Sequence, residues 1–215
     1  MDPIVKINHQ ALDRAFQFIK ASKLEQPRDI LLLSAYVEDF ALVKGHFAEA
    51  RIFAATVKNW DLNQAFPAKG GVDLVVTSNV FHYSPNPTLW FENVLRMTRL
   101  FVVQDLISRR RSKTADGLCD DGDRVRYSYS AQGVTSDLPG AYDLDALGDQ
   151  ILRFEEFEGG RNEHYLPPAA PRHYCAVVQS PYEAGAQRLS WSEGLRFRLP
   201  ALALATRAAL RSTTT

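Results

Sequence analysis

Residues Val72–Ile107 read VDLVVTSNVFHYSPNPTLWFENVLRMTRLFVVQDLI, and the division of this stretch decides the fold. Val72–Ser78 is the strongest strand signal in the chain: a nearly continuous apolar run, as in a strand buried on both faces of a parallel sheet. Ser84–Pro87 (SPNP) is turn chemistry. Thr88 is placed to cap a helix running to about Arg99, with Leu89, Val94, Leu95 and Met97 supplying its apolar faces. Leu100–Ile107 is a further apolar strand.

Working outward, Ile7, Leu12, Ala15, Phe16, Ile19 and Leu24 recur near a 3.6-residue spacing, which predicts an amphipathic helix ending before Pro27. Ile30–Leu33 is a second buried-strand run. Asp39–Ala50 reads as a helix with Phe40, Val43, His46 and Phe47 on one side, and Arg51–Val57 as a strand. Lys58–Gly71 reads mostly as loop. Residues 109–141 change character, with three consecutive arginines, Lys113 and four aspartates between 116 and 123. They are read as a long mobile insertion, because loops of this length are usually functional or disordered. Asp143–Gln150 predicts a short helix, and Ile151–Glu158 (ILRFEEFE) and Tyr174–Gln179 (YCAVVQ) two closing strands. Alternating helices and strands imply a Rossmann-like, mainly parallel α/β sheet with helices on both faces, closed by an antiparallel strand pair. The expected organisation is one domain over residues 1–180 with a helical tail over 181–215.

Lys plus Arg and Asp plus Glu number 25 each, so no net field recruits nucleic acid or an anionic membrane. Apolar residues make up 46% of the chain, as in an ordinary globular protein. Cys119 and Cys175 form no CxxC pattern and read as free thiols. Met1–Gln10 lacks the apolar core of a signal peptide, and the expected location is cytoplasmic. His164, Tyr165 and His173 fit no standard zinc spacing, so no metal is expected. In the tail, Leu202, Ala205, Ala209 and Leu210 share one side, which suits packing onto the domain, a second subunit or a partner protein rather than a membrane.

The segment 72–107 resembles the fourth strand, following loop and helix, and fifth strand of class I S-adenosylmethionine-dependent methyltransferases. The closing pair ILRFEEFE and YCAVVQ is similar to the antiparallel pair that ends those domains. The resemblance covers about residues 28–180. It implies S-adenosylmethionine as cofactor and methyl transfer to a small molecule or glycan. It places Ser34 and Tyr36 in the cofactor turn, Asp61 beside the adenine, and Ser78, Asn79 and His82 near the reactive methyl. His82 is the candidate general base, with Asn79 beside it. Asp105, Arg109, Arg126 and Tyr127 are the candidate substrate contacts, the arginines for phosphate or carboxylate groups.

The sequence departs from the family at the first strand. Leu32 stands at the acidic position, Ser34, Tyr36 and Glu38 stand at the glycine positions, and no glycine precedes Gly45. Glycine is needed there for close backbone approach and positive φ. The 43 positions from Ile30 to Asp73 hold one intervening strand, whereas the family has two, so the sheet is expected to lack one βα unit. If Arg51–Val57 is the later strand, the ribose-binding acid has gone with the earlier one. If it is the earlier strand, Thr56 or Val57 replaces that acid. Two functions follow: a divergent methyltransferase, or a catalytically inactive relative acting as a binding or regulatory partner.

Overall fold

The computed structural model describes residues 3–33, 36–56, 60–78, 80, 87–114, 117–126, 144–158, 172–182 and 188–212. In chain order the elements are α1 (Pro3–Ala21), β1 (Asp29–Leu33), α2 (Val37–His46), β2 (Arg51–Ala55), β3 (Val72–Ser78), α3 (Pro87–Leu95), β4 (Thr98–Thr114), β5 (Gly117–Arg126), a 3-10 turn (Leu144–Gln150), β6 (Ile151–Glu158), β7 (Arg172–Gln179) and α4 (Trp191–Ser212). The strand order is β2-β1-β3-β4-β7-β6, with β5 pairing only to β4. The β2-β1-β3-β4 part is parallel, and β7 runs antiparallel to both β4 and β6. This is a class I methyltransferase-like α/β fold. A doubly wound sheet reverses its order beside the first strand, and here the reversal falls between β1 and β3.

Among the described residues no strand pairs with the outer side of β2, in line with the spacing. Strand β2 lies directly beside β1, with Leu31 opposite Phe53 and Leu33 opposite Ala55. In the doubly wound order 3-2-1-4 the neighbour of the first strand is the second. Of the two readings of RIFAATV, the register therefore selects the earlier strand, and the absent unit is the outer one.

Every residue of β1 is buried, which is why its sequence shows no polar alternation. Helix α1 buries Ala11, Leu12, Ala15, Phe16 and Ile19, and with Val43 of α2 it covers one face of the sheet. Trp90, Phe91, Val94 and Leu95 of α3 cover the other. Burial of each large side chain contributes about 1.5–3 kcal/mol. Two boundaries differ from expectation. Helix α3 starts at Pro87, whose missing N–H costs nothing in a first turn, and it stops at Leu95 rather than running to Arg99. Strand β4 continues past Ile107 to Thr114 and pairs with β5, so backbone pairing goes on beyond the apolar pattern of the sequence.

The segment after Ser180 is built into the domain. Leu189, Phe197 and Ala201 are buried, Phe197 in the core on the α3 face and Ala201 in the core on the α1–α2 face. Helix α4 therefore straddles β2 where the missing strand would pair, and an edge covered by a helix is protected from intermolecular pairing. A Cβ on Gly194 would lie 3.0 Å from Phe53 Cε1, so this glycine sets how closely the helix approaches. Leu189 N–H donates to Gly71 O at 3.3 Å, anchoring the start of the segment beside β3. The inward face of α4 is Gly194, Phe197 and Ala201; Leu202 and Leu210 point outward, 61% and 64% exposed, so of the covers expected for that side the domain itself is not the one.

Candidate functional site

In open α/β sheets ligands bind outside the carboxyl ends of the strands, at the point where strand order reverses. That point here is formed by the ends of β1, β3 and β4 with the start of α2. Within the β1–α2 turn, Ser34 and Ala35 lie outside the described residues. Tyr36 is the N-cap of α2, with ordinary extended backbone (φ −83°, ψ 167°). Its N–H donates to Asp39 Oδ2 at 2.8 Å. Its side chain is 62% exposed, standing where the family's turn is bare backbone. Asp39 Oδ1 also lies 2.9 Å from His9 Nε2, tying the amino-terminal part of α1 to this end of the sheet.

A buried polar row crosses the sheet here. The Ser78 hydroxyl donates to Gln104 Oε1 at 2.8 Å, and Gln104 Nε2 lies 3.1 Å from His173 Nδ1. Because the amide oxygen is already accepting, the amide nitrogen donates to Nδ1, which assigns the imidazole proton to Nε2. The His173 ring stacks on Phe157 with centroids 5.6 Å apart. The row therefore joins β3, β4 and β7 where the parallel part of the sheet meets the antiparallel part. Asp105, also fully buried, accepts the Val80 N–H at 3.0 Å and holds the peptide after β3 against β4. Asn8 Oδ1 and Thr77 Oγ1 are among the buried oxygens that have no hydrogen-bond partner among the described residues. Such atoms ordinarily find a partner in water or ligand.

The Asp61 loop is clamped onto α3. Asp61 Oδ1 accepts from Asn63 N at 3.0 Å and Asn63 Nδ2 at 2.9 Å. Asn63 Oδ1 accepts from Trp90 Nε1 at 2.9 Å, and Asn93 Nδ2 donates to Leu62 O at 2.7 Å. The exposed Asp61 carboxylate thus organises its own turn, the usual habit of aspartate in loops.

Of the other candidates, Asn79, His82 and Tyr127 lie outside the described residues. Arg109 and Arg126 sit on the β4–β5 ribbon, opposite Val125 and Ser108 respectively. The structure thus brings Tyr36, Ser78 and Asp105 to the carboxyl end. It adds Gln104, which sequence reasoning passed over, and His173, which was weighed there only as a metal ligand. The available signal was Gln104, a polar residue inside the apolar run LFVVQDLI. Burial pushes the Cys175 thiol up to about 12, so it is an inert core residue. The described residues contain no group of three or more potential metal ligands.

The described residues do not provide the setting that an S-adenosylmethionine site uses. Tyr36 occupies the glycine position, Ala55 and Thr56 end the strand that should carry the ribose acid, and Asp61 is engaged with Asn63.

No protein-family model matches the chain, and no curated protein sequence does. Among solved structures it is similar to the plantazolicin methyltransferase BpumL in complex with SAH, at 10% identity over 83% of this chain and 85% of that one (TM-score 0.47). It is also similar to the [4+2]-cyclase SpnF, at 14% identity over 80% of this chain and 83% of that one (TM-score 0.45). A third likeness is to the mitomycin 7-O-methyltransferase MmcR, at 12% identity over 79% of this chain (TM-score 0.40). The chain spans only 54% of that enzyme's length. These likenesses concern fold; the assignment above rests on strand order and direction.

Proposed function

We propose that this chain is a methyltransferase-fold binding protein that has given up ordinary S-adenosylmethionine turnover. One observation carries the reading: among the described residues, the candidate polar groups at the carboxyl end are engaged with the protein itself. Tyr36 N–H is held by Asp39, Ser78 by Gln104, Asp61 by Asn63, and Asp105 by the Val80 N–H. In this reading the cleft takes a small polar ligand or serves a regulatory partnership.

The second reading, a divergent methyltransferase acting on a small molecule or glycan, is favoured by the position of Ser78 and Asp105 at the switch point. It assigns Ser34, Tyr36, Asp61 and Ser78 to the cofactor and Asn79 with His82 to the acceptor. Asp105, Arg109, Arg126 and Tyr127 would then contact the substrate. Fold alone does not choose between the two, because function resides in the site. Isothermal titration with S-adenosylmethionine and S-adenosylhomocysteine does. The binding-protein reading expects no saturable heat at millimolar ligand. Saturable heat that disappears in Asp61→Ala would establish the second reading instead.

A further inference from the structure

Helix α4 carries two apolar faces, and the core uses one. Gly194, Phe197 and Ala201 point inward. Leu195, Leu199, Leu202 and Leu210 are all exposed, by 39%, 67%, 61% and 64%. Their spacing of four, three and eight residues keeps them on one helical stripe, on the side away from Phe197. Beside the stripe, between α2 and α4, runs an apolar groove of about 320 Å³ lined in part by Phe40, Ile52, Ala201 and Leu202. Arg51 and Ile52 begin β2, so the groove lies at the opposite end of the strands from Tyr36 and Asp105.

Charge selects the occupant. From Gly194 to Ser212 the helix contains Arg196, Arg198, Arg207 and Arg211 and no acidic residue. Lys44 and Arg198 border the groove, and the third cation there, Arg51, is already neutralised by Asp29. Pairing two copies along this stripe would bring Arg198 and Arg207 of each copy together with no acidic residue of α4 from Gly194 onward between them, which is repulsive. The groove is concave, so a helix with projecting side chains fills it better than a flat lipid surface does. We propose that the α4 stripe and the α2–α4 groove seat an amphipathic helix of a partner protein, with apolar residues facing α4 and acidic residues flanking them. The inference specifies the partner for the binding-protein reading and rests on it for biological sense. Its surface is separate from the cleft, so the cofactor titration and the experiment below can fail independently.

The test uses the full chain and a fluorescent synthetic helix with leucines at i, i+3, i+4 and i+7 flanked by glutamates. The expected result is saturable anisotropy at micromolar protein that weakens with added salt. Binding should fall by about tenfold or more in the double variant Leu199→Glu, Leu202→Glu. Circular dichroism of that variant should match the parent, since both leucines are exposed. Four outcomes would overturn the proposal: no saturable binding, equal binding of a lysine-flanked peptide, binding only to phosphatidylglycerol vesicles, or a dimer in sedimentation that the double variant abolishes.

Discussion

The amino and carboxyl ends of the sheet invite comparison, because a doubly wound fold normally gives them different tasks. At the amino end, fully buried Asp29 is held by Arg51 through two hydrogen bonds of 2.6 and 2.5 Å. Asp73 Oδ2 accepts the N–H groups of Arg28 and Asp29 at 2.8 and 3.0 Å. Hydrogen bonding to Asp29 raises the Arg51 guanidinium above its ordinary value. These are structural staples. At the carboxyl end, where ligand groups are expected to stand ready, Ser78, Gln104, His173 and Asp105 are also joined to the protein. The ends differ in kind: an arginine–carboxylate pair closes the amino end, whereas the carboxyl end is held by the Ser78–Gln104–His173 row and by a carboxylate on a backbone N–H. The binding-protein reading rests on a reactive end that is stapled like the structural end.

The largest effect is expected at the amino end. Arg51→Ala leaves the buried Asp29 carboxylate without its partner and should cost about 2–4 kcal/mol, less than for a fully buried pair because Arg51 is itself 42% exposed. It should be read as a lower urea midpoint with unchanged slope. A loss below about 1 kcal/mol would mean that water reaches Asp29 and that this end is not stapled as described. Asp105→Ala sharpens the comparison at the other end. If Asp105 is structural, the orphaned Val80 N–H should cost about 1–3 kcal/mol. A gain in stability would instead mark the carboxylate as held for a ligand against stability, the usual trade-off at active sites.

The smallest effect concerns the cap of α4. Glu193 accepts from the Ser190 hydroxyl and backbone N–H, and from Lys69 N, which lowers its carboxyl from 4.5 to about 2. A depressed carboxyl contributes stability that is present above its unfolded value and lost as pH falls through the folded one. Glu193→Gln should therefore lower the melting temperature slightly near neutrality. Parent and variant should converge between about pH 4.5 and 2. A difference that persisted at pH 2 would place the effect in packing rather than in the charge.

The interior of the fold was legible because burial leaves a mark on sequence. β1 reads ILLL because neighbours cover both its faces, and α1 shows helical spacing because one face meets the sheet. The missing βα unit was legible from chain length alone. The packed face of α4 was not. That helix has two apolar stripes, and choosing between them requires knowing that β2 presents an open edge. The extension of β4 to Thr114, where it pairs with β5, left no apolar mark in the sequence. At the site, the departure from the glycine pattern was plain in Ser34–Glu38. The engagement of Asp61 with Asn63 and of Ser78 with Gln104 depends on side-chain meetings that no spacing encodes.

The central claim is that the carboxyl end is already filled by its own contacts. A crystal structure of the chain grown with saturating S-adenosylhomocysteine tests it most directly. The prediction is an end without nucleoside, with Tyr36 N–H still on Asp39 and Asp105 still on the Val80 N–H. Adenosine lodged between Tyr36 and Asp61, with those hydrogen bonds broken to receive it, would contradict the account.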